Sequence, residues 1–255
     1  MQLHFEKLGS GGPNFIFLHG FLGSLDNWRT IAKKLSLPGT TYLVDARNHG
    51  HSPHAESHTY ADMTEDIKEL MDSEKITHAH FLGHSMGGKT VMYLALNSPQ
   101  NVDSVVIVDI APRAYEGGHE RLLSVLMRVD LRVTRREEVE AQLIPFIPEP
   151  NIRQFLMKGL ARSSQGDFYW RWNLPVLVKA YPEVLREVEG IPYEGPALFL
   201  KGEYSPYIRP TDVGEIHRLF PKASILTIPN AGHWVHVDNP DRVVEILQEF
   251  WRNLI

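Results

Sequence analysis

The chemistry this chain presents most directly is that of a serine nucleophile. The stretch FLGHSMGGKT, residues 81–90, sets Ser85 between Gly83 and Gly87 in the pattern G-x-S-x-G. A serine held on a strained bend needs neighbours without bulk two positions before and after, and its exposed hydroxyl is then free to attack a carbonyl carbon. The same residues also satisfy G-x-x-x-x-G-K-T through Gly83, Gly88, Lys89 and Thr90, the phosphate-cradling loop of nucleotide-binding proteins. The apolar run Val105 to Asp109 (VVIVD) would be its acidic companion strand. Both patterns call for strand, turn and helix, so the rest of the chain must separate them. A glycine-rich turn without chemistry is the plainer third account.

Acyl transfer also needs donors for an oxyanion and a base for the serine. The run Asn14 to Leu18 (NFIFL) leads straight into His19, Gly20 and Phe21. A loop after a strand next to the elbow can supply the second oxyanion N–H, so Phe21 is expected to donate it alongside Met86. His233 follows Ala231 and Gly232 directly after the last strand pattern, where a parallel sheet presents its carboxyl ends to a ligand, and it is the expected base. His236 is its nearby decoy. His84 leaves the bend in another direction and reads as a supporting residue. His49, His51, His54 and His58 crowd one polar stretch, but they lack the helical His-x-x-x-His spacing that aims two imidazoles at one ion, so no metal is expected.

These residues need elements to hold them. Leu3, Phe5, Lys7 and Leu8 suggest an edge strand, and Asn14–Leu18, Thr41–Val44, His78–Leu82, Ser104–Ile110, Ala197–Leu200 and Ile225–Ile228 read as further strands. Helical spacing appears in Ser24–Leu35, in Met63, Ile67, Leu70 and Met71, in Thr90–Leu96, around Val213–Phe220, and in Val243, Ile246, Leu247 and Phe250. Strands alternating with helices imply a parallel sheet covered on both faces, hence an α/β fold. From Ala111 to Gly190 no strand pattern appears, only three or four helical ones and an aromatic cluster at Phe155, Phe168, Tyr169, Trp170 and Trp172, as in a helical insertion.

Composition narrows the class. The 255 residues include 43% hydrophobic and 22% charged, an ordinary balance for a globular protein with a proper core. A net charge of −5 and pI near 6.2 argue against nucleic acid as the main partner. No cysteine is present, which removes disulfide and thiol chemistry. The start, MQLHFEKLGSGG, has no apolar core of signal-peptide length and no apolar run approaches about 18 residues, so a cytoplasmic protein without a membrane span is expected.

Taken in order, HGF at His19, DARNHGHS at Asp45, GHSMGG at Gly83 and AGHWVH at Ala231 make the whole chain resemble an α/β-hydrolase. VDIAP at Val108, WNLP at Trp172 and the run Ser205, Pro206, Tyr207 make it similar to the YbfF-type small bacterial esterases. The resemblance implies a mostly parallel central sheet with helices on both faces, a core of residues 1–110 and 191–255, and an inserted helical cap of residues 111–190. It implies a carboxylesterase-type serine hydrolase that needs no cofactor. The nucleotide reading weakens, because only nineteen positions separate Thr90 from Asp109 and HGF and AGHWVH would have nothing to do. A serine at position 85 also argues against dehalogenases and epoxide hydrolases of this fold, which use a carboxylate there; carbon–carbon hydrolysis or a lyase reaction on the same triad stays open.

The triad acid departs from the commoner pattern. Most relatives place an aspartate in a Gly-x-x-Asp turn before the last strand, whereas here that turn is Gly202, Glu203, Tyr204, Ser205. Asp109 ends the strand after the elbow strand, and the resemblance to the YbfF-type esterases implies it as the acid, with Ser205 as an auxiliary hydrogen-bonding partner near His233. Glu203 and Asp212 compete for the role, and Asp109 could instead cap the following turn. Phe21, His84, Trp172 and Trp234 are the expected substrate contacts. The cap aromatics suit either an apolar acyl pocket or the cap's own core. Arg128, Arg132, Arg135 and Arg136 could meet an acyl thioester's phosphates, but beside Glu137, Glu138 and Glu140 they read as a solvated helix face. Short- to medium-chain esters are the expected substrates, thioesters the variant; the pattern is silent on oligomeric state.

Overall fold

Seven short strands, none able to form a core alone, meet in one sheet. The computed structural model describes residues 1–255. From the N-terminus, β1 (Phe5–Gly9) and β2 (Asn14–Leu18) lead to α1 (Asp26–Leu35), β3 (Thr40–Val44), α2 (Tyr60–Ser73), β4 (Ala79–His84), α3 (Met86–Asn97) and β5 (Val102–Val108). The chain then leaves the sheet through α4 (Glu120–Arg128), α5 (Arg136–Leu143), α6 (Pro150–Met157), a hairpin of β6 (Leu160–Arg162) and β7 (Phe168–Trp170), and α7 (Leu174–Leu185). It returns with β8 (Ala197–Gly202), α8 (Val213–Leu219), β9 (Ala223–Ile228), α9 (Val235–Asp238) and α10 (Pro240–Arg252).

The seven-stranded sheet runs β1-β3-β2-β4-β5-β8-β9 and is parallel except for β1, which pairs antiparallel with β3. β4, the strand that feeds the elbow, is therefore the central one. Alternate residues along each strand serve the two faces. Ile16, Phe81, Val105, Ile107 and Phe199 pack toward α2, α3 and α8, while Phe15, Phe17, Leu82, Val106 and Leu198 pack toward α1 and α10. α2 starts where its sequence says it should: Thr59 Oγ1 accepts from Asp62 N at 3.1 Å and Asp62 Oδ2 accepts from Thr59 N at 3.3 Å, a reciprocal cap.

Several sequence expectations are corrected here. The strand predicted as His78–Leu82 runs on to His84, and the helix predicted from Thr90 begins at Met86; Gly87 and Gly88, poor helix formers, hid its first turn from the sequence pattern. The segment from 111 to 190 does contain strands: β6 and β7 pair antiparallel with Ala161 opposite Tyr169. Three residues are too few for an alternating pattern to show. In α10 Val243, Ile246 and Leu247 are buried as expected, but Trp251, not picked out by the spacing, is fully buried against Phe15 and Phe17, while Phe250 is only half-buried. A third apolar cluster, joining Leu123, Leu143, Leu156, Trp170, Trp172 and Leu177, is built from the segment between β5 and β8, with Leu22 of the loop after β2 added.

Candidate active site

Ser85 occupies the junction of β4 and α3 with φ 52° and ψ −115°, a conformation that costs a non-glycine residue on the order of 1–3 kcal/mol. Its neighbours hold it there. A Cβ at Gly83 would come within 2.2 Å of Gly87 O, and one at Gly87 within 2.5 Å of His19 O, so the turn closes only with glycine at both places. Ser85 N donates to Val108 O at 3.0 Å, which ties the elbow to the end of β5.

Asp109 follows β5 directly, fully buried and itself at φ 52°. Its Oδ2 accepts from His233 Nδ1 at 2.7 Å and from the Ser205 hydroxyl, and its Oδ1 accepts from Gly202 N at 2.9 Å. With Nδ1 donating, Nε2 of His233 is left as the unprotonated nitrogen, the tautomer a base requires. His233 and Ser85 line one cavity of about 810 Å³. The competing acids are elsewhere. Glu203 is exposed and accepts from Asn230 N at 2.7 Å, and Asp212 pairs with Arg113 at 3.1 Å and accepts from Arg209 N at 2.8 Å.

Phe21 N–H has no acceptor in the protein, and Met86, as the first residue of α3, has none in its own helix. The loop carrying Phe21 is braced from below by histidines. His19 Nδ1 donates to Gly20 O at 2.8 Å while its Nε2 accepts from Ala46 N at 3.0 Å. His49 Nδ1 donates to Arg47 O at 3.0 Å while its Nε2 accepts from Leu22 N at 3.1 Å, which holds Leu22 at φ 57°. His58 Nε2 lies 3.3 Å from Met86 Sδ. Burial pushes His19 and His49 below the ordinary histidine range and His58 down to about 3, so all three are neutral. His51 and His54, grouped with them by sequence, are exposed.

The other expected substrate contacts divide. Phe21, His84 and Trp234 line the cavity, Phe21 beside Tyr181 and Trp234 against Phe155, with ring centroids 5.6 and 5.1 Å apart. His84 Nε2 donates to His233 O at 2.9 Å; burial first, then the adjacent histidines, hold it well below the usual range. Trp172 is a correction. Its ring is buried in the cluster outside the sheet, stacked on Trp170 at 5.1 Å, and away from Ser85. It packs on Gly159, where a Cβ would meet it at 2.2 Å. The neighbouring Asn173 is what joins the two parts of the molecule: its N donates to Asn48 O and its Nδ2 to Asn48 Oδ1, each at 3.0 Å.

Lys89, the lysine of the phosphate-loop pattern, does not face a phosphate cradle. Its Nζ donates to Leu185 O at 3.4 Å and to Arg186 O, at the C-terminal end of α7. Of the four arginines considered for an acyl thioester, Arg132 pairs with Asp130 at 2.8 Å, Arg135 with Glu138 at 3.4 Å, and Arg136 donates to Leu160 O at 3.1 Å; none of the four lines the cavity. The residue sequence reasoning missed is Tyr207, whose ring covers His233. Its signal was the quoted run Ser205, Pro206, Tyr207, read only for its serine.

Comparison with known proteins agrees with the fold. The family described as alpha/beta hydrolase fold matches residues 13–136. The sn-1-specific diacylglycerol lipase ABHD11 of Mus musculus is 38% identical over 248 residues, covering 93% of this chain and 80% of that protein. Esterase YbfF of Escherichia coli is 34% identical over 237 residues, covering 92% and 91%. A solved marine microorganism esterase is 38% identical and superimposes with a TM-score of 0.95 over 98% of this chain and 99% of its own.

Proposed function

The chain belongs to the α/β-hydrolase fold family and is an ester-cleaving hydrolase, and on that premise we propose that Ser85, His233 and Asp109 carry the reaction through an acyl-serine intermediate. His233 Nε2 takes the proton of the Ser85 hydroxyl as its oxygen attacks the ester carbonyl. The N–H groups of Phe21 and Met86 receive the oxyanion, the alcohol leaves with the proton held on His233, and water then releases the acyl group by the same path reversed. Asp109 holds the imidazole in its working tautomer and balances the imidazolium, and Ser205 holds Asp109. The observation that carries this reading is the 2.7 Å contact between Asp109 Oδ2 and His233 Nδ1, in a cavity that both His233 and Ser85 line.

Residues 111–190 act in this reading as a cap that roofs the cavity. Apolar side chains such as Leu122, Val125, Ile152 and Phe155 line its cap side, which suits an acyl chain, and short- to medium-chain carboxylic esters are the proposed substrates. Acyl thioesters have less support, since the arginines expected for them are not at the cavity. Ser85→Ala should abolish both p-nitrophenyl ester hydrolysis and fluorophosphonate labelling; turnover by that variant would refute the mechanism. A panel of ester chain lengths and thioesters on the wild-type protein tests the substrate class, and activity confined to long acyl chains would count against it.

A further inference from the structure

Tyr207 lies flat on the imidazole of His233, with ring centroids 3.9 Å apart and planes 17° from parallel. The next closest aromatic pairs in the protein are 4.6 Å apart and more tilted. Two neutral rings stacked face to face oppose their quadrupoles, which is not the arrangement such pairs favour. An imidazolium over the same ring face is attracted to it. In the reaction His233 becomes an imidazolium when it takes the proton from Ser85, so the contact strengthens as that step proceeds, which is the condition for an interaction to speed a step rather than merely bind.

The tyrosine is held in place independently of His233. Its N donates to Ser205 Oγ at 3.3 Å, its carbonyl accepts from the Tyr115 hydroxyl at 2.7 Å, and that hydroxyl accepts from Ala111 N at 2.8 Å. Ser205 thus ties together the carboxylate at the edge of the imidazole and the ring on its face. Asp109 faces His233 from the end of β5, His84 from β4 with centroids 4.6 Å away, His236 from α9 and His119 from the start of α4. Burial holds His84 well below the usual histidine range, puts His236 at about 3 and lowers His119, so these three stay uncharged at neutral pH. Burial raises the Tyr207 phenol, which is neutral as well. The charge that develops on His233 therefore meets one carboxylate at its edge and one π face.

We propose that Tyr207 is a positioning residue for the esterase reaction, whose ring face stabilises the His233 imidazolium in the transition state. The inference rests on His233 being the base. Its test compares Tyr207→Phe, which keeps the ring face, with Tyr207→Leu, which removes it, and with pentafluorophenylalanine at 207, which keeps the shape and reverses the quadrupole. Rates are taken per active serine by fluorophosphonate titration, so a partly folded preparation does not bias them. The Phe variant is expected to keep kcat within about twofold, and the other two to lose about tenfold in kcat at little change in KM. Because an imidazolium deprived of the ring forms less readily, the acidic limb of their kcat/KM profiles should move to lower pH by about one unit. Wild-type kcat in the Leu and fluorinated variants, equal loss in the Phe variant, or a fall in kcat with an unmoved acidic limb would each overturn it. Wild-type protein that fails to label at all would overturn the triad itself, which separates the two failures.

Discussion

Asp109 accepts three hydrogen bonds in a site closed to water, from Gly202 N, the Ser205 hydroxyl and His233 Nδ1. A carboxylate so held is costly to bury and strongly directional once buried, because each donor fixes one lone pair. Asn at this position would present a donor to Nδ1 and impose the wrong tautomer on His233. Asp109→Asn is therefore expected to lower turnover by roughly 10⁴-fold with an unchanged circular dichroism spectrum. Glu203→Gln loses only a surface contact to Asn230 N, and Asp212→Asn weakens a pair with Arg113 outside the triad, so both should keep most of their turnover. A dead Glu203→Gln beside an active Asp109→Asn would move the acid to the later strand.

At the scale of elements, the elbow and the loop proposed to donate to the oxyanion are positioned by different means. The elbow depends on absent bulk: Gly87→Ala puts a methyl 2.5 Å from His19 O and 2.7 Å from Leu18 O, both main chain that cannot swing aside. That variant should unfold at lower denaturant by about 1–3 kcal/mol and lose fluorophosphonate labelling; labelling at the wild-type rate would show the turn to be looser than its packing implies. The loop depends on hydrogen bonds from buried neutral histidines. His49→Phe fills the space but leaves Leu22 N without its acceptor, so kcat should fall on the order of tenfold to hundredfold, while His49→Gln, which keeps an acceptor, should recover most of it. Equal rates for the two would mean that His49 only fills volume. These contrasts explain what sequence could reveal. Glycines at fixed offsets around Ser85 and the continuous apolar runs of β2, β4 and β5 are local patterns, and they were legible. His49, more than twenty positions from the loop it braces, looked like a surface loop histidine, because its burial depends on strands that meet only in the fold. Tyr207 and Trp172 were ambiguous for the same reason: an aromatic residue carries no local mark of whether it faces a cavity or a core, and here the first covers His233 and the second stacks on Trp170.

Across the whole molecule, the segment between β5 and β8 is fastened at both ends of α7 to the loop after β3 and to the helices α2 and α3 packed on the sheet. At its start Asn173 bonds to Asn48, and at its end the Tyr60 hydroxyl donates to Val184 O at 2.6 Å while Lys89 reaches Leu185 O and Arg186 O. The last carbonyls of a helix favour a cation, and Lys89 also lies 4.7 Å from the Tyr115 ring centre. Burial nevertheless outweighs these attractions, and with nearby Arg113 it pushes the Lys89 ammonium down to about 7. The sign follows from which state binds the proton more tightly. In the unfolded chain Lys89 returns to the lysine value of 10.5, so between about pH 7 and that value the unfolded chain carries the extra proton and stability rises with pH. Below that window both states are protonated and the slope vanishes. Urea unfolding of the wild type and of Lys89→Met should therefore diverge on going from about pH 7 to about pH 9, the wild type gaining roughly 2 kcal/mol relative to the variant. Parallel stability curves for the two proteins would mean that Lys89 keeps its proton throughout, and that the fastening of α7 to the elbow helix is insensitive to pH.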